Sequence, residues 1–174
     1  MNFSNLDLMR KLIILLLLPI ISYSQISYKD IMSLNDSKQF KKVMIENYYE
    51  KNDEDDGWLT YGYNIQKDSV DGNRSSKWGS YNINDNRFSF QFSRSSLLNG
   101  LLGVAIDEEV KNDYDTIVEE IKKKCVYYDI ISYEGSDGVT NDYVCYSCSE
   151  SKYKGKIGFM ISEGNGYIRH FPNK

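Results

Sequence analysis

Three cysteines and a single histidine are the residues of this chain whose types are best suited to chemistry. Cys125 lies on the apolar face of a predicted helix, whereas Cys145 and Cys148 share a segment with strand periodicity. Side chains three positions apart on a strand point to opposite faces, so only one of these two can meet Cys125. Val144 shares a face with Cys148, which favours a Cys125–Cys148 disulfide over the alternative with Cys145. Such a crosslink stabilises a domain by about 2 to 4 kcal/mol.

The same residues allow two other interpretations. Cys145 and Cys148 have the spacing of a redox pair. Such a pair obtains its low thiolate pKa at a helix N-terminus, whereas this segment is predicted to be a strand. Together with Cys125 and His170 they make one Cys₃His set, the minimum for a closed zinc site. The distance along the chain from Cys148 to His170 does not match a zinc knuckle. We therefore predict a disulfide, with no metal and no cofactor.

No segment carries a motif for nucleophilic catalysis or for phosphate binding. The acidic run at residues 52–57 imitates the start of a calcium loop, but Tyr63 stands where a bidentate Glu is required. We interpret this run as a solvated acidic loop. The sequence therefore assigns no catalytic residue.

Residues 1–24 have the pattern of a secretory signal peptide. The basic pair Arg10-Lys11 precedes an apolar run over residues 12–21, and Ser22 and Ser24 are the small residues before a cleavage point at Gln25. The run is about half as long as the roughly 20 residues that a membrane-spanning helix needs. We expect cleavage after residue 24 and export of residues 25–174 as one soluble domain, periplasmic or secreted, without a stable membrane anchor.

The composition is that of an acidic globular protein. The chain has a formal net charge of −4 at pH 7, with 15 tyrosines and 2 prolines. Binding of nucleic acid by counterion release needs clustered Lys and Arg, but the basic runs at 41–42 and 122–124 fall on the polar sides of predicted helices. The composition therefore disfavours both a nucleic-acid partner and a disordered chain.

The first half of the exported part predicts one main helix and three strands. Asp36 caps a helix over residues 37–49, in which Phe40 and Met44 recur at helical spacing. Residues 26–34 are expected to form a short extra helix or an arm that packs on the domain. From Trp58 the period becomes two, and strands are expected at 58–65, 77–83 and 88–92. Together they would form a three-stranded meander.

The second half repeats this order. Asp113 begins a helix with Ile117 and Ile121 on one face, and strands are expected near 127–133, 142–149, 156–162 and 167–171. Each half reads as an αβββ(β) unit, over residues 36–92 and 113–171, which suggests a tandem pseudo-repeat. The predicted fold is α+β, with one twisted antiparallel sheet and two helices packed on one face.

This layout resembles that of tandem-repeat secreted inhibitors, the family of the β-lactamase inhibitor proteins. The resemblance concerns the order of elements only, and fold analogy by itself does not assign a function. Between the units, residues 97–106 form the most apolar stretch of the exported part. We interpret them as a buried connector or edge strand, with an exposed docking patch as the alternative.

Our first hypothesis for function is a non-catalytic binding or inhibitor-type module that presents an aromatic sheet face to a protein or envelope partner. Tyrosine and tryptophan give large contact areas with little conformational entropy to lose. The candidate contact residues are Tyr61, Tyr63, Trp78, Tyr81 and Tyr146. The alternatives are a small periplasmic hydrolase that uses dispersed carboxylates, such as Asp55 or Glu163, and a structural component of the envelope. A concave aromatic sheet face would favour binding, and two close acids in a pocket would favour the hydrolase.

Overall fold

A computed structural model describes residues 26–55, 57–67, 72–93, 113–135 and 138–173 of the chain. The predicted signal peptide and the apolar segment at 97–106 lie outside the described residues, and so do the domain boundary at residue 24 and the junction between the two units.

The described residues form three helices and eight strands. The first half contains α1 (Tyr28–Ser33), α2 (Ser37–Glu46), β1 (Tyr49–Asp55), β2 (Trp58–Tyr63), β3 (Lys77–Asn82) and β4 (Arg87–Ser93). The second half contains α3 (Asp113–Lys124), β5 (Val126–Glu134), β6 (Thr140–Ser147), β7 (Gly155–Ser162) and β8 (Asn165–Pro172). A helix followed by four strands therefore occurs twice, with one strand more in the first half than predicted, and the pseudo-repeat itself stays a prediction.

All eight strands belong to one antiparallel sheet with the order β1-β2-β3-β4-β8-β7-β6-β5. Within each half, strands that follow one another in the chain are neighbours in the sheet. The halves meet where β4 pairs with β8, in a register that places Phe90 opposite Ile168 and Gln91 opposite Tyr167. The last strand of each half is therefore central, and the first strand of each half is an edge.

The helices α2 and α3 pack on the same face of this sheet. Phe40 of α2 lies 6.3 Å from Phe90 of β4, measured between ring centroids, and Tyr114 of α3 lies 6.3 Å from Phe92 of the same strand. Residues two apart on a strand share a face. Tyr114 approaches closely because Gly166 of β8, beneath its ring, has no side chain. The structure is thus one open antiparallel sheet with a few helices, which agrees in outline with the predicted α+β architecture.

The predicted Asp36 cap is present, and α1 has a cap that was not predicted from the sequence. The side chain of Asp36 accepts a hydrogen bond from the backbone N–H of Gln39 at the start of α2. Ser27 and Asp30 form a reciprocal capping box at the start of α1. Ile31 of α1 is fully buried. Residues 26–34 therefore form the short extra helix that the sequence predicted, packed into the main core.

The sequence-based prediction is wrong at residues 47–55. The helix predicted over residues 37–49 ends at Glu46, Tyr48 adopts a left-handed backbone with φ 60°, and the chain continues as β1. The first half is a four-stranded meander, and most of the predicted acidic loop is an edge strand. Only Tyr49 of β1 is buried, so the acidic residues that follow show no alternation that would indicate a strand.

The predicted disulfide is present between Cys125 and Cys148, whose Cα atoms are 4.5 Å apart. It joins the end of α3 to the residue that follows β6. Cys145 points to the other face of the sheet, where it is fully buried against Tyr143 and Phe171. In the alternative Cys₃His site, two of the four groups, Cys125 and Cys148, are bonded to each other. The other two, Cys145 and His170, lie on opposite sides of the sheet, so the four side chains do not form this zinc site.

Burial raises the pKa of the Cys145 thiol to about 11, so we expect this thiol to be unreactive at neutral pH. A thiol-specific reagent should label no cysteine in the folded, oxidised protein and one cysteine after unfolding without reductant. Labelling followed by mass spectrometry measures both numbers. Rapid labelling of the folded protein would contradict the burial of Cys145, and three labels after unfolding would contradict the disulfide.

Within the described ranges, no helix combines the length and the apolar character needed to cross a bilayer.

Candidate functional site

The face of the sheet opposite the helices contains a groove with a cavity of about 720 Å³. Its lining comes from both halves of the chain, with Trp58 and Gln91 from the first half and Met160 and Tyr167 from the second. These residues alternate along their strands with core residues; Gln91, for example, lies between Phe90 and Phe92. One face of the sheet therefore carries the main core under the helices, and the other face carries the groove.

A long hairpin makes this face concave. β5 and β6 pair with each other from Val126 to Ser147, but β6 pairs with β7 only from Val144 to Tyr146. The free part of the hairpin leans over the groove, because Tyr133 of β5 lies 6.5 Å from Phe171 of β8, two strands beyond its own partner. The sheet therefore curls, and the hairpin forms one wall of the groove.

A glycine beneath the hairpin permits this close packing. A Cβ atom on Gly158 of β7 would lie 2.7 Å from the Sγ of Cys145 and 2.7 Å from the ring of Phe171. Tyr143, Cys145 and Phe171 form a small second core on this face, separate from the main core under the helices. This second core positions the base of the hairpin, and with it Tyr133.

Arg169 is the buried charged residue of the groove. Its side chain lines the cavity, yet the residue is only 8% exposed. The guanidinium carbon lies 3.5 Å from the centroid of the Tyr133 ring, within the range of a cation–π contact. Its Nε has no hydrogen-bond partner, and no described carboxylate lies within ion-pair distance of the residue. The groove thus contains a positive charge that the described residues do not neutralise.

Arg169 also influences the phenol beside it. Burial raises the pKa of Tyr143, while the nearby positive charge of Arg169 opposes that rise. At neutral pH Tyr143 is therefore a neutral hydroxyl, and it adds no negative charge to balance the guanidinium.

A second arginine provides a contrast. The guanidinium carbon of Arg87 lies 5.3 Å from the centroid of the same Tyr133 ring. Its Nη2 forms a 2.5 Å ion pair with Asp85, so its charge has a partner within the protein. A described carboxylate therefore neutralises the charge of Arg87, whereas none neutralises that of Arg169.

Two carboxylates, Glu134 and Glu163, are part of the groove lining. Both residues are exposed, Glu134 at the end of β5 and Glu163 in the turn between β7 and β8. Asp55, at the end of the edge strand β1, is not part of this lining. The acids of the groove thus lie at its rim, whereas its buried charge is positive.

His170 lies on the helix side, away from the groove. It is fully buried, 5.2 Å from Phe88 and 4.6 Å from Tyr153 between ring centroids. Burial lowers the pKa of His170 to about 3, against a smaller opposing effect of the Phe88 backbone. The histidine is therefore neutral at physiological pH and cannot contact a ligand in the groove.

The five predicted contact residues do not gather on one surface. Tyr61 and Tyr81 are buried under α2 around Phe40. Tyr63 and Tyr146 also pack against the main core on the helix side. Trp78 lies on the helix-free face, opposite Gln91 in the strand pairing, but is not part of the cavity lining. A contact role for these five residues stays a prediction.

Most of the residues that line the groove were not singled out from the sequence. Tyr133, Tyr143, Tyr167 and Arg169 are brought together only when the hairpin folds over β8. One available signal was the alternation in β8, which places Tyr167 and Arg169 on the face opposite Ile168. That signal defines a shared face, but it does not identify which face the helices leave open.

The edge strand β5 is the other exposed apolar surface among the described residues. Val126, Tyr127, Tyr128 and Ile130 are each more than half exposed. The opposite edge, β1, is protected by charged side chains, a common device against unwanted strand pairing. The groove combines a cavity with a buried charge, so it is the better-defined candidate site.

Fold and groove together define an α+β protein with one concave antiparallel sheet, whose open face carries an aromatic groove around a buried arginine. In the part of the chain that the structure describes, no group of three or more His, Cys, Asp and Glu side chains could hold a metal ion. Comparisons of the chain with protein-family models, with curated proteins and with solved structures found no match.

Proposed function

We propose that this protein is an exported, non-catalytic binding module, and that the groove on the helix-free face holds a segment of a protein or envelope partner. The observation that supports this proposal best is the concave groove of about 720 Å³. Four aromatic side chains line it, Trp58, Tyr133, Tyr143 and Tyr167, and Trp and Tyr are enriched among the residues that dominate binding energy. The signal-like pattern of residues 1–24 and the Cys125–Cys148 disulfide support export, since disulfides persist mainly in oxidising compartments.

The charges of the groove favour binding over catalysis. A general acid at neutral pH needs a carboxyl whose pKa is raised by burial or by a close like charge. Glu134 and Glu163 are both exposed at the rim. The single histidine of the chain is buried under the opposite face.

A small hydrolase remains the second candidate, because two carboxylates line one groove. It would use Glu134 and Glu163, one as acid and the other as base or nucleophile. Assays of the Glu134→Gln and Glu163→Gln variants against peptide and glycoside substrates test it. Turnover by the wild type that both variants lose would replace the binding proposal.

Truncation of two groove aromatics tests the binding proposal. We expect Trp58→Ala and Tyr167→Ala each to weaken capture of an envelope partner by about 10-fold or more, because central aromatic contacts often contribute above about 1.4 kcal/mol. The experiment immobilises the mature protein, identifies the captured component, and measures its affinity for each variant by surface plasmon resonance.

Tyr127→Ala is the matched control for this experiment. Tyr127 is a partly exposed tyrosine on β5 that contacts Tyr146 on the helix side, so its loss should change affinity little. If Tyr127→Ala weakens capture and the groove variants do not, the partner binds elsewhere and the proposal is wrong.

A further inference from the structure

We infer that the groove recognises an oxyanion next to an apolar group on its ligand, with Arg169 as the residue that holds the oxyanion. This inference rests on the proposed function and specifies the chemistry of the ligand. It depends on three features of the site, which are the unneutralised buried charge of Arg169, the donor geometry of its guanidinium and the apolar surface around it.

The first feature is the cost of an unneutralised buried charge. Arg169 is 92% buried, and none of the described carboxylates forms an ion pair with it. Burying a charge is strongly unfavourable unless an opposite charge or several hydrogen bonds compensate for it. A cation–π contact with Tyr133 and a hydrogen bond with Tyr143 recover only part of that cost. An anionic ligand group would supply the missing compensation.

The second feature is the donor geometry. A guanidinium has five N–H donors in one plane, which match the two oxygens of a carboxylate or the oxygens of a phosphate. The Nε donor of Arg169 is buried without a hydrogen-bond partner. The side chain of Tyr143 is hydrogen-bonded to Arg169, so at least one other donor is used. The donors of Arg169 are therefore not all used within the described structure.

The third feature is the surface around the charge. Trp58, Met160 and Tyr167 line the same cavity and provide apolar contact beside Arg169. A ligand that only carried a charge would leave these side chains without a contact. The groove therefore fits a group in which an aromatic or aliphatic body lies next to an oxyanion, as in an acidic peptide end or an aryl phosphate.

Three probes of similar size separate the charge from the apolar body. N-acetylphenylalanine carries a carboxylate, N-acetylphenylalaninamide is its neutral counterpart, and phenyl phosphate carries the other oxyanion. Binding is followed by the fluorescence of Trp58 in a Trp78→Phe background, since the chain has two tryptophans. At least one of the oxyanion probes should bind 10-fold or more tightly than the amide. Whichever binds more tightly identifies the oxyanion that the groove prefers.

Arg169→Gln should remove the preference for the oxyanion, and Arg169→Lys should retain part of it because the charge remains without the planar fork. Arg87→Gln is the matched control, since Arg87 faces the same ring but is paired with Asp85. Thermal unfolding verifies that each variant is folded. The comparison of the acid with the amide uses the Trp78→Phe protein with Arg169 intact, so this test does not depend on whether the Arg169 variants fold.

Three results would overturn the inference: equal binding of acid, phosphate and amide, no binding of either oxyanion at millimolar concentration, or an unchanged preference in Arg169→Gln. The proposed function fails separately. If Trp58→Ala abolishes partner capture while Arg169→Gln does not change it, binding in the groove stands and oxyanion recognition is wrong. If the oxyanion probes bind through Arg169 but the groove variants capture the partner normally, oxyanion recognition stands and binding of the partner in the groove is wrong.

Discussion

Acidification is expected to destabilise the protein through one residue, because His170 is buried in its neutral form. Burial lowers its pKa from 6.5 to about 3 in the folded state. Below about pH 6.5 the unfolded state therefore binds a proton at this histidine, whereas the folded state does not bind it until the pH approaches 3. The associated stability is complete above pH 6.5 and is lost as the pH falls toward 3. We expect the free energy of unfolding to decrease by about 1.4 kcal/mol per pH unit from this residue in that range.

The measurement is urea unfolding of the wild type and of His170→Phe between pH 4 and pH 8. Phenylalanine keeps an aromatic ring next to Phe88 and Tyr153 and removes the titrating group. The difference in unfolding free energy between the two proteins should shift in favour of the variant by about 2 kcal/mol from pH 7 to pH 5. Parallel pH profiles would show that His170 is not buried as a neutral group. Since this is the only histidine of the chain, its NMR titration gives an independent check.

Loss of the Cys125–Cys148 disulfide is expected to lower the free energy of unfolding by about 2 to 4 kcal/mol. The crosslinked residues are separated by 23 positions, and closing a loop of that size restricts the unfolded chain. The bond also lies at the contact between α3 and α1, where the hydroxyl of Tyr28 is 3.7 Å from the Sγ of Cys125. Reduction should therefore weaken the packing of α1 before the sheet itself unfolds.

Urea unfolding of the Cys125→Ser/Cys148→Ser protein, with and without reductant, measures the effect. Cys145→Ala is the matched control, because it removes a cysteine and leaves the disulfide intact. Reductant should lower the unfolding midpoint of the wild type and of Cys145→Ala but not that of the double variant. A wild-type midpoint that does not respond to reductant would contradict a stabilising disulfide, and hydrogen exchange tests whether α1 opens first.

Much of the local structure could be predicted because it depends on neighbours in the chain. Ile117 and Ile121 marked the buried face of α3, and Asp36 marked the start of α2. The choice of Cys148 over Cys145 followed from the alternation of side chains along one strand. The strand β1 was missed for the same physical reason, since an edge strand exposed on both faces has no hydrophobic period to detect.

The candidate site could not be predicted in this way. Four of the five tyrosine and tryptophan residues proposed as contacts lie on the helix side of the sheet, because alternation divides a strand into two faces without assigning a helix to either. Tyr133 and Arg169 are 36 positions apart in the chain, and no local pattern links them. They meet because the β5–β6 hairpin leaves β7 and folds across the sheet.

By itself, then, the sequence determined most of the order of helices and strands, the Asp36 cap and the cysteine pair, all of which depend on short-range periodicity and on the stereochemistry of single elements. The tertiary structure decided which sheet face stays open, how strongly it curls, and which charge is buried beneath the hairpin. These properties come from contacts between residues far apart in the chain, such as the packing of Cys145 and Phe171 over Gly158. Their energies depend on the whole sheet, which is why no single segment encodes the groove.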